Sequence, residues 1–519
     1  MNIRNILITL CLLAVFPLTV SAKVLTVLPG KSIQEKIDEA EDNDFVAIFG
    51  GTYNENLTID NKVVRLVEVK GQEVTISGNV TFQNCSVLPP LEGIAFSDGT
   101  LRFDGNEGDL VLRNIKHERA SNLQVVGNNE ILIESCKFGN TQISGIDNVL
   151  IESCELSELY LLQGNATVTL TDLKVGHFQI STSFDGKANL EKSEITKIVQ
   201  DSGSLNVVNT TLQNFTSGNG SEKTILFRCV IGEDRSESYY RSQRLWMGYC
   251  TVYTRNSWFR EVRANSKHVI VGCEFDGRNN QEAPINVYNF NNSSLSVLNS
   301  KIHNIRQQNY DHWQDACIWA RDSRDSNFLI QNNYLQTSHE RSGSGGNLYF
   351  EINDSNKVII RNNVSIGLEK IGRFPFGSVI EGNQSFTHWN NPLYIEGGST
   401  LGKDNKGYGD QDLNSLRYPE EGKLVDFAAA LYKDHNVYDV SEDSVLIDAG
   451  VDNPLYNDRD GTRNDAGPSG GVWFDPDGWT TEKPVVISFE VSSDLVLEGV
   501  DTEVILSEGQ AVSAPAASE

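Results

Sequence analysis

Tyr253, Asp276 and His303 each stand three residues after a small side chain: Cys250, Cys273 and Ser300. Five residues after the first two small residues come Arg255 and Arg278, and six before them lie Arg244 and Lys267. A phenol, a carboxylate and an imidazole at one offset, beside repeated cations, are the parts needed to move a proton on an anionic sugar. Eliminative cleavage of a uronate needs positive charge on the carboxylate and a base of suitable pKa. On that reading His303 or Lys267 is the base, Tyr253 the acid, and Arg255 and Arg278 hold a uronate or sulfate. Hydrolysis would instead need two carboxylates about 5–10 Å apart, with Asp276, Asp311 and Asp315 as candidates. The stretch 309–324 adds His312, Trp313, Asp315 and Arg321, and the next adds His339 and Arg341. A plainer reading competes: Arg244 and Lys267 as solvated turn residues, and Arg255 and Arg278 paired with Asp276 and Glu274, each pair worth under ~1 kcal/mol.

What must position these residues is a repeat. Residues 131–140 (ILIESCKFGN) and 149–158 (VLIESCELSE) are nearly one sentence, echoed at 224–233, 268–277, 328–337 and 358–367. Each alternates apolar residues and then places a small or amide residue sixth. That place reads Cys85, Ile115, Cys136, Cys154, Leu173, Ser193, Thr210, Cys229, Cys250, Cys273, Ser300, Asn333, Asn363 and Asn383. A recurrence near 20 residues signals a solenoid, and alternation with β-branched residues makes its unit strand-based. Strands that recur without a helix-length crossover stack in parallel about 4.8 Å apart, so equivalent positions form columns. The cysteines are then expected to be stacked, buried thiols rather than disulfides, and the asparagines an amide ladder. No CxxC pair exists to bind a metal.

The repeat resembles the right-handed parallel β-helix family, the pectin-lyase-like superfamily, over roughly residues 74–396. The resemblance implies an all-β, single-stranded right-handed parallel solenoid of about 12–14 coils over residues 23–396. It also implies an activity drawn from lyases, hydrolases, esterases or binding proteins. The glycosidase signatures G-H-G and R-x-K are absent. The R-x-P-x-x-R of pectate lyases begins at Arg373 but meets Ser378 where the second arginine belongs.

Spacing also indicates where function sits. From Ile115 to Cys250 the sixth-place residues lie 17 to 21 apart, and then 23, 27, 33 and 30 apart up to Asn363. Extra residues must leave the solenoid as loops, and loops on a rigid scaffold carry function. The chain has a net charge of −27, yet residues 221–345 hold 15 Lys plus Arg against 13 Asp plus Glu. Five of the seven tryptophans lie in or just beyond this stretch. The overall charge argues against nucleic acid or anionic membrane as a partner. The local basic, aromatic island suits an acidic polysaccharide.

The ends are expected to differ from the coils. Residues 1–22, a basic start, an apolar run and Ser21-Ala22, read as a secretory signal, implying a secreted or periplasmic monomer without a membrane span. Ser32-Ile33-Gln34-Glu35 predicts a helix from Ser32 to about Glu41 capping the first coil. Gly51-Thr52-Tyr53-Asn54-Glu55 then starts the strands. Residues 397–480 read as a loop-rich C-terminal cap, and 481–519 as short strands and a disordered tail. Asp458, Asp460 and Asp465 could hold calcium, or could form Asx turns pinned by Arg459 and Arg463.

Overall fold

The computed structural model describes residues 22–117, 122–127, 130–227, 229–231, 245–246, 267–276, 283–288, 290–304, 316–337, 346–367, 370–387, 394–397, 399–408, 431–433, 436–471, 474, 485–491 and 507–512. The chain is an all-β parallel solenoid of about 13 turns and 4% helix. It divides into two units, residues 1–139 and 140–519.

In the first unit strands begin before the helix. Val24–Val27, Phe45–Ile48 and Arg65–Glu68 form a parallel three-stranded sheet. The helix is shorter than expected, Ile33–Glu39, with Ile33 and Ile37 buried. Its first turn is capped from outside the helix. Ser32 Oγ accepts from Glu35 N at 3.2 Å, while Glu55 takes the N–H groups of Ile33 (2.6 Å) and Gln34 (3.3 Å). The glutamate of the GTYNE stretch thus supplies the negative charge that a helix N-terminus favours.

In the second unit each coil contributes to three parallel sheets. A first-sheet strand such as Asn148–Glu152 is followed by a sharp corner, and then by the second and third sheets. The corner residue is left-handed in coil after coil: Ser153 (φ 52°), Asp172 (54°), Lys192 (50°), Asn209 (47°), Asn299 (45°), Asn332 (53°) and Asn362 (54°). Non-glycine residues tolerate this conformation best as Asn or Asp, whose side chains bond locally.

The sixth-place residue follows the corner and points inward. It is an acceptor as much as a small residue. Leu173 N donates to Ser193 Oγ (3.0 Å), Cys229 N to Cys273 Sγ (3.4 Å), and Cys273 N to Ser300 Oγ (3.2 Å). Ser300 N donates to Asn333 Oδ1 (2.9 Å), Asn333 N to Asn363 Oδ1 (3.0 Å) and Asn363 N to Asn383 Oδ1 (3.0 Å). A corner N–H buried between coils must be paired, and the next coil's side chain pairs it. No disulfide joins the six described cysteines, all of them buried.

Three rungs differ from the sequence reading. Cys85 belongs to another corner: its N–H is taken by Asn106 Oδ1 at 2.9 Å, on strands that pair Val80–Gln83 with Leu101–Asp104. Cys250 is skipped and lies outside the described residues. Phe227 stacks directly on Val271, and Val230–Ile231 on Glu274–Phe275, so one coil spans Cys229 to Cys273. At the other end the ladder runs one rung further, because Asn383 N donates to Asn405 Oδ1 at 3.0 Å and Lys406–Tyr408 pairs with Gln384–Phe386.

Inward-facing Ile, Leu, Val and Phe fill the coils, each worth about 1.5–3 kcal/mol when fully buried; Phe215, Phe290, Phe328 and Phe350 are among the largest. Residues 431–466 lie along the flank of the second unit. Leu431, Tyr432, Val437, Leu446 and Ala466 pack on the outward side chains Tyr334, Val364, Ile366, Phe386 and Tyr408 of the second sheet. The corner asparagines hold this strap. Asn299 Nδ2 donates to the carbonyls of Pro468 (2.9 Å) and Gly470 (2.7 Å), and Asn332 Nδ2 to that of Asp465 (3.0 Å). Asn362 Oδ1 accepts from Val451 N (2.8 Å). Val485–Val491 and Ser507–Val512 form one antiparallel pair, so strand structure extends past Ala511 into the expected tail.

Candidate functional site

In the wide coils the second-sheet and third-sheet strands are separate elements, with residues outside the described ones between them. The gaps fall between Asp276 and Ile285, Asn304 and Ile318, and Thr337 and Gly346. Arg244, Arg278, Asp311, His312, Trp313, Asp315, His339 and Arg341 lie outside the described residues. Tyr253 and Arg255 also lie outside them, in the stretch between Trp246 and Lys267. Asp276 and His303 are register partners, but the row continues from Phe275 to Ile231 and not through a coil at Cys250. Lys267 pairs with Lys223 on one side and Ser294 on the other, so Lys223 takes the place expected of Arg244.

The third sheet carries one register row along the second unit, which includes Tyr160, Gln179 and Val199 in the narrow coils and Asn286, Trp319, Tyr349 and Arg373 in the wide ones. A second column, Tyr288, Arg321 and Glu351, runs beside it in the wide coils. Alternation along each strand sets these residues on the face opposite Ile318, Ala320, Leu348 and Phe350, but Asn286, Trp319 and Tyr349 are buried there, the last two packed with Ala283 and Ala316. The half-buried guanidinium of Arg321 lies over two rings, Trp319 at 4.3 Å and Tyr288 at 4.6 Å. Arg373 lies over Tyr349 at 5.6 Å, donates to its hydroxyl at 3.0 Å and pairs with Glu351 at 3.5 Å. Ring contacts of this kind orient a guanidinium plane.

The second sheet carries a compact charged group. Glu274 Oε1 accepts from Lys301 Nζ at 2.7 Å and faces His303 Nε2 at 3.1 Å. The hydrogen bond from His303, with Lys301 beside it, pulls the Glu274 carboxyl down to about 2. His303 is 7% exposed, and its imidazole is oriented by a carboxylate. Tyr438 of the strap lies near Glu274 and Cys273, and burial pushes its phenol well up. Beyond His303 the second-sheet face is covered by the strap, whereas the arginines of the third sheet are part exposed.

The C-terminal aspartates are occupied by backbone. Asp458 accepts from the N–H groups of Gly471 and Asp465, Asp460 from Thr462 N (2.9 Å) and Asp465 from Asp448 N (2.9 Å). Burial, with the Asp465 charge close by, raises Asp458 to about 7, and burial raises Asp465 to about 6. Among the described residues no group of three or more His, Cys, Asp or Glu is arranged to hold a metal ion. No helix among them is long and apolar enough to cross a membrane.

Of the expected site residues, the structure therefore brings His303 to Glu274 and Lys301, and places Arg321 on the third sheet. Tyr288, Tyr349, Glu351 and Arg373 were not anticipated. Compared with known proteins, the chain matches no protein-family model and no curated relative.

Proposed function

We propose that this chain is a secreted right-handed parallel β-helix protein of the pectin-lyase-like superfamily. In this reading it binds an acidic polysaccharide along the outer face of its third sheet and acts on it as a lyase or glycosidase at the loop-bearing edge. The observation that carries the reading is the pair of ring-stacked arginines, Arg321 on Trp319 and Tyr288, and Arg373 on Tyr349. Aromatic faces beside guanidinium groups suit sugar rings that bear carboxylates or sulfates. His312, Trp313, Asp315, His339 and Arg341 are the further residues that this reading assigns to the glycan site. His303, oriented by Glu274, would be the described proton carrier in this reading.

The test is incubation of the purified protein with uronate and sulfated polysaccharides, with calcium and with a chelator. New ultraviolet-absorbing unsaturated ends identify a lyase, and new reducing ends without absorbance a hydrolase. Loss of activity on chelation would assign a cation role, with Asp458, Asp460 and Asp465 as the first residues to vary. A second reading, recognition without cleavage, is favoured by the commitment of Glu274 to both Lys301 and His303. Binding with no new ends of either kind would establish it.

A further inference from the structure

One imidazole of the second unit lies inside the coils. His268 stands on Lys267–Val271, the first-sheet strand that closes the long coil between Cys229 and Cys273, and it is fully buried. Its register neighbours are Thr224 in the preceding coil and Leu295 in the next, and the row continues through Phe328 and Val358. An imidazole thus holds a place that the following coils give to apolar side chains. Among the described residues neither Nδ1 nor Nε2 has a hydrogen-bond partner. The Phe290 ring lies against it, with centroids 5.8 Å apart. The Thr224 hydroxyl donates to Gln200 Oε1 at 2.7 Å rather than to the ring. None of these neighbours is charged, and the Cys273 thiol further along the strand's coil is itself kept neutral by burial. A buried cation without counter-charge or hydrogen bond is so costly that the group stays neutral instead. Burial accordingly holds the His268 imidazole down to about 3, against about 6.5 in an unfolded chain.

We propose that His268 is an acid-sensitive release built into the junction of the narrow and wide coils. Neutral, it packs as one more core side chain between Thr224 and Leu295. Protonated, it fits only when Lys267–Val271 leaves its place in the first sheet and the ring reaches water. The opened strand takes up the proton from about pH 6.5 downward and the closed one only near 3. The stability of this junction is therefore fully present above about 6.5 and is lost as pH falls towards 3, with the opened population rising about tenfold per pH unit. The sign is the reverse of the strap's, whose Asp458 and Asp465 are raised by burial. Acid thus loosens the junction while it tightens the flank. This release is independent of what the third sheet binds.

Hydrogen exchange of the full chain at pH 6.5 and 4.5, corrected for the intrinsic pH dependence of exchange, tests it. Amides of Lys267–Val271 are expected to show an opened population about thirtyfold or more larger at pH 4.5, with little change in Lys357–Arg361. His268→Leu, which gives the row the residue type of the next coil, is expected to remove the difference. His268→Gln keeps a buried polar group that cannot titrate, so it is expected to lower protection at both pH values and also to remove the difference. In the native protein the His268 ring carbons, followed by nuclear magnetic resonance, are expected to keep their neutral-form shifts down to pH 4.5. A ring that titrates near 6.5 in the folded protein, or a thirtyfold gain retained in either variant, overturns the role of His268. An equal gain in Lys357–Arg361 overturns its confinement to the junction.

Discussion

The narrow coils from Asn148 to Ile231 and the wide coils from Lys267 to Thr387 share three sheets, one left-handed corner and one inward ladder. They differ in how the second sheet meets the third. In the narrow coils the two are one uninterrupted strand, as in Glu155–Gly164 and Lys174–Phe184. There several outward polar groups bond or stack with one another. Tyr160 donates to Glu158 at 3.1 Å, Gln179 Nε2 to Asp201 at 3.0 Å, and Glu158, His177 and Lys197 stack in one column. In the wide coils the two are separate strands, as in Lys301–Asn304 and Ile318–Arg321, and the register row of the third sheet turns to tryptophan, tyrosine and arginine. The ladder differs as well: narrow coils use Leu173, Ser193 and Thr210, whereas the wide coils end in a run of asparagines. An asparagine accepts the preceding coil's N–H and also donates inward, as Asn363 Nδ2 does to Ile330 O at 2.8 Å.

The largest way to break this comparison is at the ladder. Asn363→Ala removes the acceptor for Asn333 N and Asn333 Nδ2, both at 3.0 Å in a fully buried site. Each orphaned buried group costs about 1–3 kcal/mol, so a loss of about 2–5 kcal/mol is expected. Cys154→Ala in a narrow coil removes one small thiol whose sulfur meets Glu152 O at 3.1 Å and is expected to cost about 1 kcal/mol. Urea unfolding of both variants measures the contrast. Equal losses would mean that the amide run does nothing special for the wide coils.

Next in size is the face itself. Arg321→Ala removes the guanidinium stacked on Trp319 and Tyr288 and is expected to weaken acidic glycan binding about tenfold or more. Lys197→Ala, on the narrow part of the same sheet, is expected to leave binding within about twofold, since its charge sits in a self-compensated column. Titration calorimetry with one acidic glycan and both variants decides it. A larger loss from Lys197 would move the site to the narrow coils.

The ladder was legible in the sequence because its residue type is dictated by one buried N–H per coil. Its two false rungs have physical causes. Cys85 follows Asn84, a left-handed residue at a different corner (φ 55°), so the same local chemistry imitates the same column. The coil from Cys229 to Cys273 holds 44 residues, about twice the usual spacing, and Cys250 falls near its middle. Spacing alone therefore inserts a rung there. The arginine–aromatic face was missed because counting forward from the ladder crosses loops of unequal length. Counting backward recovers it: Tyr288, Arg321 and Glu351 each stand 12 residues before Ser300, Asn333 and Asn363. The strap's path along the flank had no such signal, since its contacts join residues more than 80 apart, as in Asn362 to Val451.

The charged group at the edge makes a smaller, pH-resolved contribution. Glu274 is held down to about 2 by the His303 hydrogen bond and Lys301, below its unfolded value near 4.3. A depressed carboxyl stabilises the fold above the unfolded value and loses that contribution as pH falls from about 4 towards 2. Glu274→Gln is expected to flatten stability across that acid range and to leave the neutral range little changed apart from a constant offset. Thermal unfolding between those limits checks it. An unchanged acid slope would show that the ion pairs form equally in the unfolded chain.

The smallest effect is expected on the strap, with the opposite sign. Asp458 is raised to about 7 by burial next to Asp465, so its charged form is the disfavoured one. A raised carboxyl contributes fully below its unfolded value near 3.9 and loses that contribution as pH rises through about 7. The Asp458 bonds to Gly471 N and Asp465 N hold the end of the segment that the corner asparagines grip. The strap should therefore protect its amides better at pH 5.5 than at pH 8, while the coil amides around Asn363 show no such change. Asp458→Asn keeps a neutral acceptor and is expected to reduce the pH dependence in residues 445–471 only, leaving the part that Asp465, raised to about 6, contributes. Hydrogen exchange across the two regions reads both at once. A pH dependence spread equally over strap and coils would mean that the flank and the solenoid open as one unit, and the strap would then be part of the fold's core cooperativity rather than a separately held segment.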